Sequence, residues 1–210
     1  MHRSIAAYQN LVRGNERFTA GDPVSNTLAT KERRDELVAG QNPSAIILGC
    51  SDSRVPAEVI FDQGLGELFV IRVAGNVAAQ EGIGSIEYAV ENCGTRLVVV
   101  LGHSCCGAVQ ATVNGLREGE MPSSPNLKSI VEKIAPAVSP LLESGDSNDL
   151  ESLVDQAVKA NVKNTVNDLL SDSPVLKHWM KEDNLVVVGA SYSLESGRVE
   201  FFDAPPGAEA

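Results

Sequence analysis

A chain of 210 residues with 43% hydrophobic content can bury one sizeable core, and a single domain is the default at this length. Its formal charge of −11 argues against nucleic acid binding, which wants a basic face, and disfavours anionic membrane surfaces; solubility is the simplest use of such a charge. No stretch approaches the ~20 apolar residues of a membrane span, and Met1 to Tyr8 has no apolar signal core, so the expected location is the cytoplasm.

Ser4 to Phe18 sets Ile5, Tyr8, Leu11, Val12 and Phe18 at helical spacing, with Ser4 as N-cap and Gly21-Asp22-Pro23 as the stop. Thr30 caps a second short helix ending near Ala39, before Gly40. Ala45 to Cys50 is a short apolar run rich in branched residues and without alternation, which reads as a strand buried on both faces. Pro56 opens a short helix to Phe61. Glu67 to Val73 is the second strand, followed by a turn at Gly75-Asn76 and a helix from about Gly84 to Cys93 that Gly94 stops. Arg96 to Gly102 is the third strand, and a helix begins near Gly107 and runs to about Asn114. Ser124 to Val138 is helical in pattern, and Pro140 to Asp149 reads as a polar surface loop. Asp149 to Leu170 is the longest helix, with apolar residues recurring at three and four; Ser173-Pro174 starts another, to about Lys181. Leu185 to Ala190 is the fourth strand, Ser196-Gly197 turns the chain, and Val199 to Phe202 pairs back as a hairpin strand. Ala204 to Ala210 reads as a frayed tail.

Strands separated by helices give an α/β fold: a mostly parallel central sheet of about four strands plus an antiparallel edge strand, flanked by helices, with an N-terminal helical arm. The expected domain therefore comprises an arm (1–40), an α/β core (44–203) and a tail (204–210). Two chemical clusters follow strands one and three: Cys50-Ser51-Asp52-Ser53-Arg54 and His103-Ser104-Cys105-Cys106-Gly107. If those strands are neighbours where the winding reverses, both clusters meet in one crevice at the carboxyl end of the sheet.

Of the four cysteines, Cys105 and Cys106 are adjacent, which suits metal binding or catalysis better than ring-closing disulfides. Cys93, ending an apolar helix face, reads as a small buried hydrophobe, His2 as a terminal residue and His178 as a surface or packing residue beside Trp179. His103 and Cys106 can aim imidazole and thiolate at one point, with Cys50 as third ligand; the local sequence also permits Cys105. Two Cys and one His form a catalytic zinc set with a fourth position open for water. Arg54 then keeps Asp52 ionised and aimed, and Asp52 accepts a hydrogen bond from that water.

Taken together, these two clusters resemble the paired signature of the β-class carbonic anhydrases. Gly14-Asn15-Glu16-Arg17-Phe18, Gln41-x-Pro43, Phe69 to Asn76 and Gly84 to Ala89 are similar to family segments in the same order. The resemblance implies one Zn2+ per chain on Cys50, His103 and Cys106, and reversible hydration of carbon dioxide to bicarbonate and a proton by attack of zinc-bound hydroxide. It implies that Asp52 and Arg54 are the catalytic dyad, that Gln41 orients substrate, that Phe69 and Tyr88 line a dry wall, and that the Gly107 N–H meets a product oxygen. It further implies a homodimer or dimer of dimers with the pocket at the subunit interface, and a closed form at lower pH in which Asp52 itself binds zinc. Members with a second, inhibitory bicarbonate pocket carry a Trp where this chain has Ile47, so that pocket is not expected despite Arg72 and Tyr192. The alternatives are a carbonyl sulfide or carbon disulfide hydrolase on the same scaffold, and a non-catalytic zinc or thiol-redox protein.

Overall fold

The computed structural model describes residues 2–24, 29–144 and 149–208. Strands β1 (Ala45–Gly49) and β3 (Leu97–His103) are buried at every residue, as apolar runs without alternation require. With β2 (Leu68–Arg72), β4 (Val186–Tyr192) and β5 (Val199–Phe201) they form one five-stranded sheet in the order β2-β1-β3-β4-β5. Only the β4–β5 pair is antiparallel, which matches the expected mostly parallel sheet with an antiparallel edge strand. The chain leaves β1 toward β2 on one side and returns to β3 on the other, so the winding reverses between β1 and β3.

Alternate residues of β1 and β3 supply two cores. Ala45, Ile47, Val99 and Leu101 face one layer with α1 (Arg3–Ala20) and α3 (Ala57–Ile60). Ile46, Leu48, Val98 and Val100 face the other, with α4 (Gln80–Asn92), α7 (Leu150–Asp172) and α8 (Pro174–Glu182). The N-terminal helix buries Ala7, Tyr8 and Leu11 against its own chain's sheet. A fully buried side chain of leucine size, such as Leu11, contributes about 1.5–3 kcal/mol. A third apolar cluster lies at the carboxyl end of the strands, where α5 (Gly107–Glu118), α6 (Pro125–Ser144) and α7 meet around Cys50 and Cys106. The short α2 (Lys31–Leu37) buries no residue and is capped by Thr30, whose side chain accepts from Arg33 N–H. No helix among the described residues is long and apolar enough to cross a membrane.

Several boundaries differ from the sequence reading. Helix α1 is capped at His2 rather than Ser4, whose side chain is buried. Helix α4 starts at Gln80, four residues early, and α5 runs on to Glu118, where Gly119 at φ 72° ends it. The largest difference is α6, which passes through Pro136 and Pro140 to Ser144 instead of giving way to a loop at Pro140. Val131, Ile134 and Val138 are buried along one stripe, and Leu141 and Leu142 extend it onto the same cluster; that burial outweighs the hydrogen bonds the prolines cannot donate. The rest of the expected loop, 145–148, lies outside the described residues. The tail is not frayed as far as 208: Pro205 is buried and Ala208 packs against the first core, while 209–210 lie outside the described residues.

Helix α7 approaches the sheet closely because Gly102 and Gly189 leave holes for Val162. A Cβ on Gly102 would lie 2.5 Å from Val162 Cγ2 and 3.4 Å from Val158 Cγ1. Gly102→Ala should therefore lift α7 and cost about 1–3 kcal/mol of overpacking. Urea unfolding at fixed protein concentration checks this; an unchanged midpoint would refute the close-packing account.

Candidate metal centre

Parallel register sets Gly49 of β1 beside Leu101 of β3, so both chains leave the sheet at the same edge. Cys50 is one residue past β1, His103 is the last residue of β3, and Cys106 caps α5. The metal-binding atoms of these three residues lie within 4.8 Å of one another, all in buried side chains. Of the two adjacent cysteines, it is Cys106 that joins this cluster. Cys105 has φ +54°, a left-handed conformation that costs about 1–3 kcal/mol in a non-glycine residue. The turn it makes leaves its own side chain exposed and buries Cys106 beside Cys50. Ser104 pins the turn to β4: its N–H donates to Tyr192 O at 2.9 Å, and Leu194 N–H donates to its Oγ at 3.0 Å.

His103 is wholly buried. Its Nδ1 lies 2.9 Å from Ser104 O, so that nitrogen carries the proton and donates. Nε2 is then a lone-pair donor, and it has no hydrogen-bond partner among the described residues. The hydrogen bond from Cys106, with His103 close by and the Gly75 N–H at 3.4 Å, holds the Cys50 thiol down to about 4 against the cost of burial. The Cys106 thiol is pushed up by that same bond to Cys50 and by burial. The pair thus favours ionising one thiol over the other, and a bound cation would favour both thiolates. Soft sulfur, an aimed imidazole nitrogen and a buried, charge-ready pair fit Zn2+ better than a hard cation.

Asp52 accepts from Arg54 through Nε at 2.9 Å and a terminal guanidinium nitrogen at 2.7 Å, and from the Arg54 N–H at 3.0 Å. The Arg54 side chain holds the carboxyl well below the usual aspartate range. Asp52 Oδ2 lies 4.0 Å from His103 Nε2, so the fork-held carboxylate faces the cluster. Arg72, at the end of β2, donates to Cys50 O at 2.9 Å and to Asp52 O at 2.6 Å and so ties down the loop carrying both residues. The sequence pointed to Arg72 only for a second bicarbonate pocket. Two of its donors engage this loop, and β1 and β3 stand between β2 and the Tyr192 strand. A cavity of about 750 Å3 opens beside Arg54 and Cys105, with Asp155, Lys159 and Tyr192 among its walls.

One chain does not bring the expected substrate wall to this cluster. Phe69 lies opposite Ile46, four residues (about 13 Å) back along the strand from Cys50. It packs near Tyr88 of α4, ring centroids 6.3 Å apart, and Tyr88 is half exposed. Gln41 is exposed and precedes β1, at the opposite end of the strand from Cys50. Gly107 opens α5 directly after Cys106, where a first-turn N–H has no partner within the helix. Cys93 is half-buried at the end of α4, and His178 stacks edge-on to Trp179, away from the site.

The sequence pattern of the family described as carbonic anhydrase matches residues 45–199. Carbonic anhydrase 2 of Mycobacterium tuberculosis (strain ATCC 25618 / H37Rv) is 42% identical over 199 residues, covering 95% of this chain and 93% of that protein. Among solved structures, the β-carbonic anhydrase CcaA superposes with a TM-score of 0.74 at 27% identity, over 94% of this chain and 88% of that one. The β-carbonic anhydrase CafA of Aspergillus fumigatus superposes with a TM-score of 0.73 at 28% identity, over 82% and 81%.

Proposed function

We propose, because the chain belongs to the β-class carbonic anhydrase family, that it catalyses the reversible hydration of carbon dioxide to bicarbonate and a proton, with one Zn2+ per chain on Cys50, His103 and Cys106. The observation that carries this reading is the buried Cys50–His103–Cys106 cluster with an unpartnered His103 Nε2, beside a fork-bonded Asp52–Arg54 pair. When bound, zinc supplies Lewis acidity that makes water nucleophilic near neutral pH. Asp52 accepts a hydrogen bond from the attacking water on the open side of the cluster and aims its lone pair at the substrate carbon. Arg54 holds the carboxylate in place and charged for that task. The Gly107 N–H at the start of α5 donates to an oxygen of the forming bicarbonate. The released proton leaves to buffer through the cavity beside Arg54.

Gln41, Phe69 and Tyr88 complete the pocket only if a second copy supplies them, so the working unit is a homodimer or a dimer of dimers. Support comes from β2: it is an edge strand, and the Phe69–Tyr88 pair lies next to it. Four free thiols fit a reducing compartment, the cytoplasm. Stopped-flow hydration of carbon dioxide by protein assayed for zinc tests the reaction. Zinc-loaded protein that hydrates no carbon dioxide at alkaline pH overturns it.

The Asp52–Arg54 pair also sets a pH response. Because the folded-state pKa of Asp52 is lowered, the pair's contribution is full above the ordinary aspartate value of ~3.9 and is lost only as pH falls through the lowered value. Protonation of Asp52 therefore cannot explain a loss of activity in mild acid. Asp52 instead remains an anion there, free to exchange Arg54 for the metal when water is harder to ionise. Activity should fall from alkaline to mildly acidic pH while zinc is retained. A flat profile, with Asp52 still on Arg54 in an acid-form crystal structure, would refute the exchange.

A further inference from the structure

We infer that Asn161 of α7 is a positioning residue for the metal centre, acting on Cys50 through Gly75; this rests on the reading that Cys50, His103 and Cys106 hold zinc. Asn161 is buried to 1% exposure, and its Nδ2 donates to Gly75 O at 2.8 Å. The Gly75 N–H in turn donates to Cys50 Sγ at 3.4 Å. Two bonds thus link a helix-borne amide to a ligand sulfur, the first of them joining residues 86 apart in sequence.

The link is stiff at each step. Gly75 holds φ +69° inside the short 3-10 turn Ala74–Asn76, a conformation that favours glycine. A Cβ there would also lie 2.7 Å from Ile134 Cδ1 and 3.3 Å from Ala108 Cβ, so no other residue fits without displacing α6 or α5. Asn161 is fixed by its neighbour Val162, wedged into the holes over Gly102 and Gly189. Ala157 and Val158, one turn earlier, pack in the same cluster as Cys50 and Cys106. Locking the Gly75 carbonyl locks the residue whose N–H meets the sulfur.

Packing alone does not account for an amide here. Position 161 lies on the apolar stripe of α7 with Val154, Ala157, Val158 and Val162, and the Asn161 Oδ1 is buried with no hydrogen-bond partner among the described residues. An unsatisfied buried acceptor is costly, and a leucine of similar size would avoid that cost. The amide is instead the group that aims an N–H at a thiolate. Such a bond draws charge from the sulfur, which tunes the bound metal and holds the ligand in place.

The test uses Asn161→Leu, with Asn161→Ser as a milder variant too short to span to Gly75 O, and Thr165→Val as a control, buried one turn further along α7 and outside the link. Two readouts are taken on the full-length protein: zinc release to a chromophoric chelator, and the thiolate-to-metal charge-transfer band of the cobalt-substituted form. Asn161→Leu and Asn161→Ser should release zinc about 10-fold faster or more and shift the band, while Thr165→Val leaves both as in wild type. A folded Asn161 variant with wild-type release and spectrum overturns the link, as does an equal shift in Thr165→Val. Wild type with no thiolate-to-cobalt band overturns the metal reading itself, which separates the two failures.

Discussion

Cys106→Ser should leave the folded chain with almost no zinc and lower carbon dioxide hydration by at least about 10^3-fold, or ~4 kcal/mol of barrier. The serine oxygen is harder than sulfur, sits on a shorter bond and does not ionise near neutral pH, so the donor set loses one of its three members. The loss also spreads to Cys50. Its low pKa, about 4, depends first on the hydrogen bond from Cys106. With that bond altered, burial weighs more heavily against the Cys50 thiolate, and His103 and the Gly75 N–H are left to hold it down. His103 keeps an aimed Nε2, but one nitrogen cannot hold the ion against dialysis. Cys105→Ser is the matched control. Its side chain is exposed, on the far side of a left-handed turn, and the variant should keep about one zinc per chain. Metal analysis after dialysis, with hydration rates on the same samples, decides the matter. Zinc and activity surviving in Cys106→Ser, or lost in Cys105→Ser, would reassign the ligand.

The order of elements was legible because burial on both faces writes itself as an uninterrupted apolar run, as in β1 and β3, and because Gly21 and Gly94 punctuate helices in the ordinary way. The switch between β1 and β3 followed from topology rules, and with it the meeting of Cys50 with His103 and Cys106. Local rules failed where a tertiary surface outweighed them. Pro136 and Pro140 signal an ending, yet the stripe of α6 had a cluster to cover and the helix continued. The supporting residues were harder still. Arg72 and Asn161 act on Cys50 from β2 and α7, and nothing near them in sequence says which backbone groups they will meet. One signal was available: Asn161 and Thr165 are polar residues at apolar positions of a long amphipathic helix, and such positions often serve a site. The expected substrate wall is not assembled by one chain. Gln41, Phe69 and Tyr88 stand away from their own chain's cluster, and nothing in a single sequence says whether a second copy brings them to it.

Asp52→Asn should keep about one zinc per chain and yet lose about 10^2- to 10^4-fold in kcat/KM, the range for removing a group that handles a proton in the transition state. The contrast with Cys106→Ser is the point of the variant, because it separates holding the ion from using it. Asparagine has nearly the shape of aspartate. Its amide can still face the cluster through one oxygen, but its NH2 opposes the Arg54 guanidinium that now bonds both carboxylate oxygens. The fork opens, Arg54 loses its anchor apart from a long contact to Cys105 O at 3.4 Å, and nothing anionic orients the water. Arg54→Lys should be intermediate. A lysine restores charge but not the two-pronged geometry, so Asp52 stays ionised and becomes loosely aimed. The pH profile adds a second reading. If Asp52 is the group that leaves Arg54 for the metal in mild acid, Asp52→Asn cannot close in that way. Its residual activity should then show a weaker decline toward mildly acidic pH than wild type, whereas Arg54→Lys, which loosens the restraint on Asp52, should decline at higher pH. Parallel profiles for all three proteins would detach the acid limb from Asp52, and wild-type kcat/KM in Asp52→Asn would remove the dyad from the mechanism.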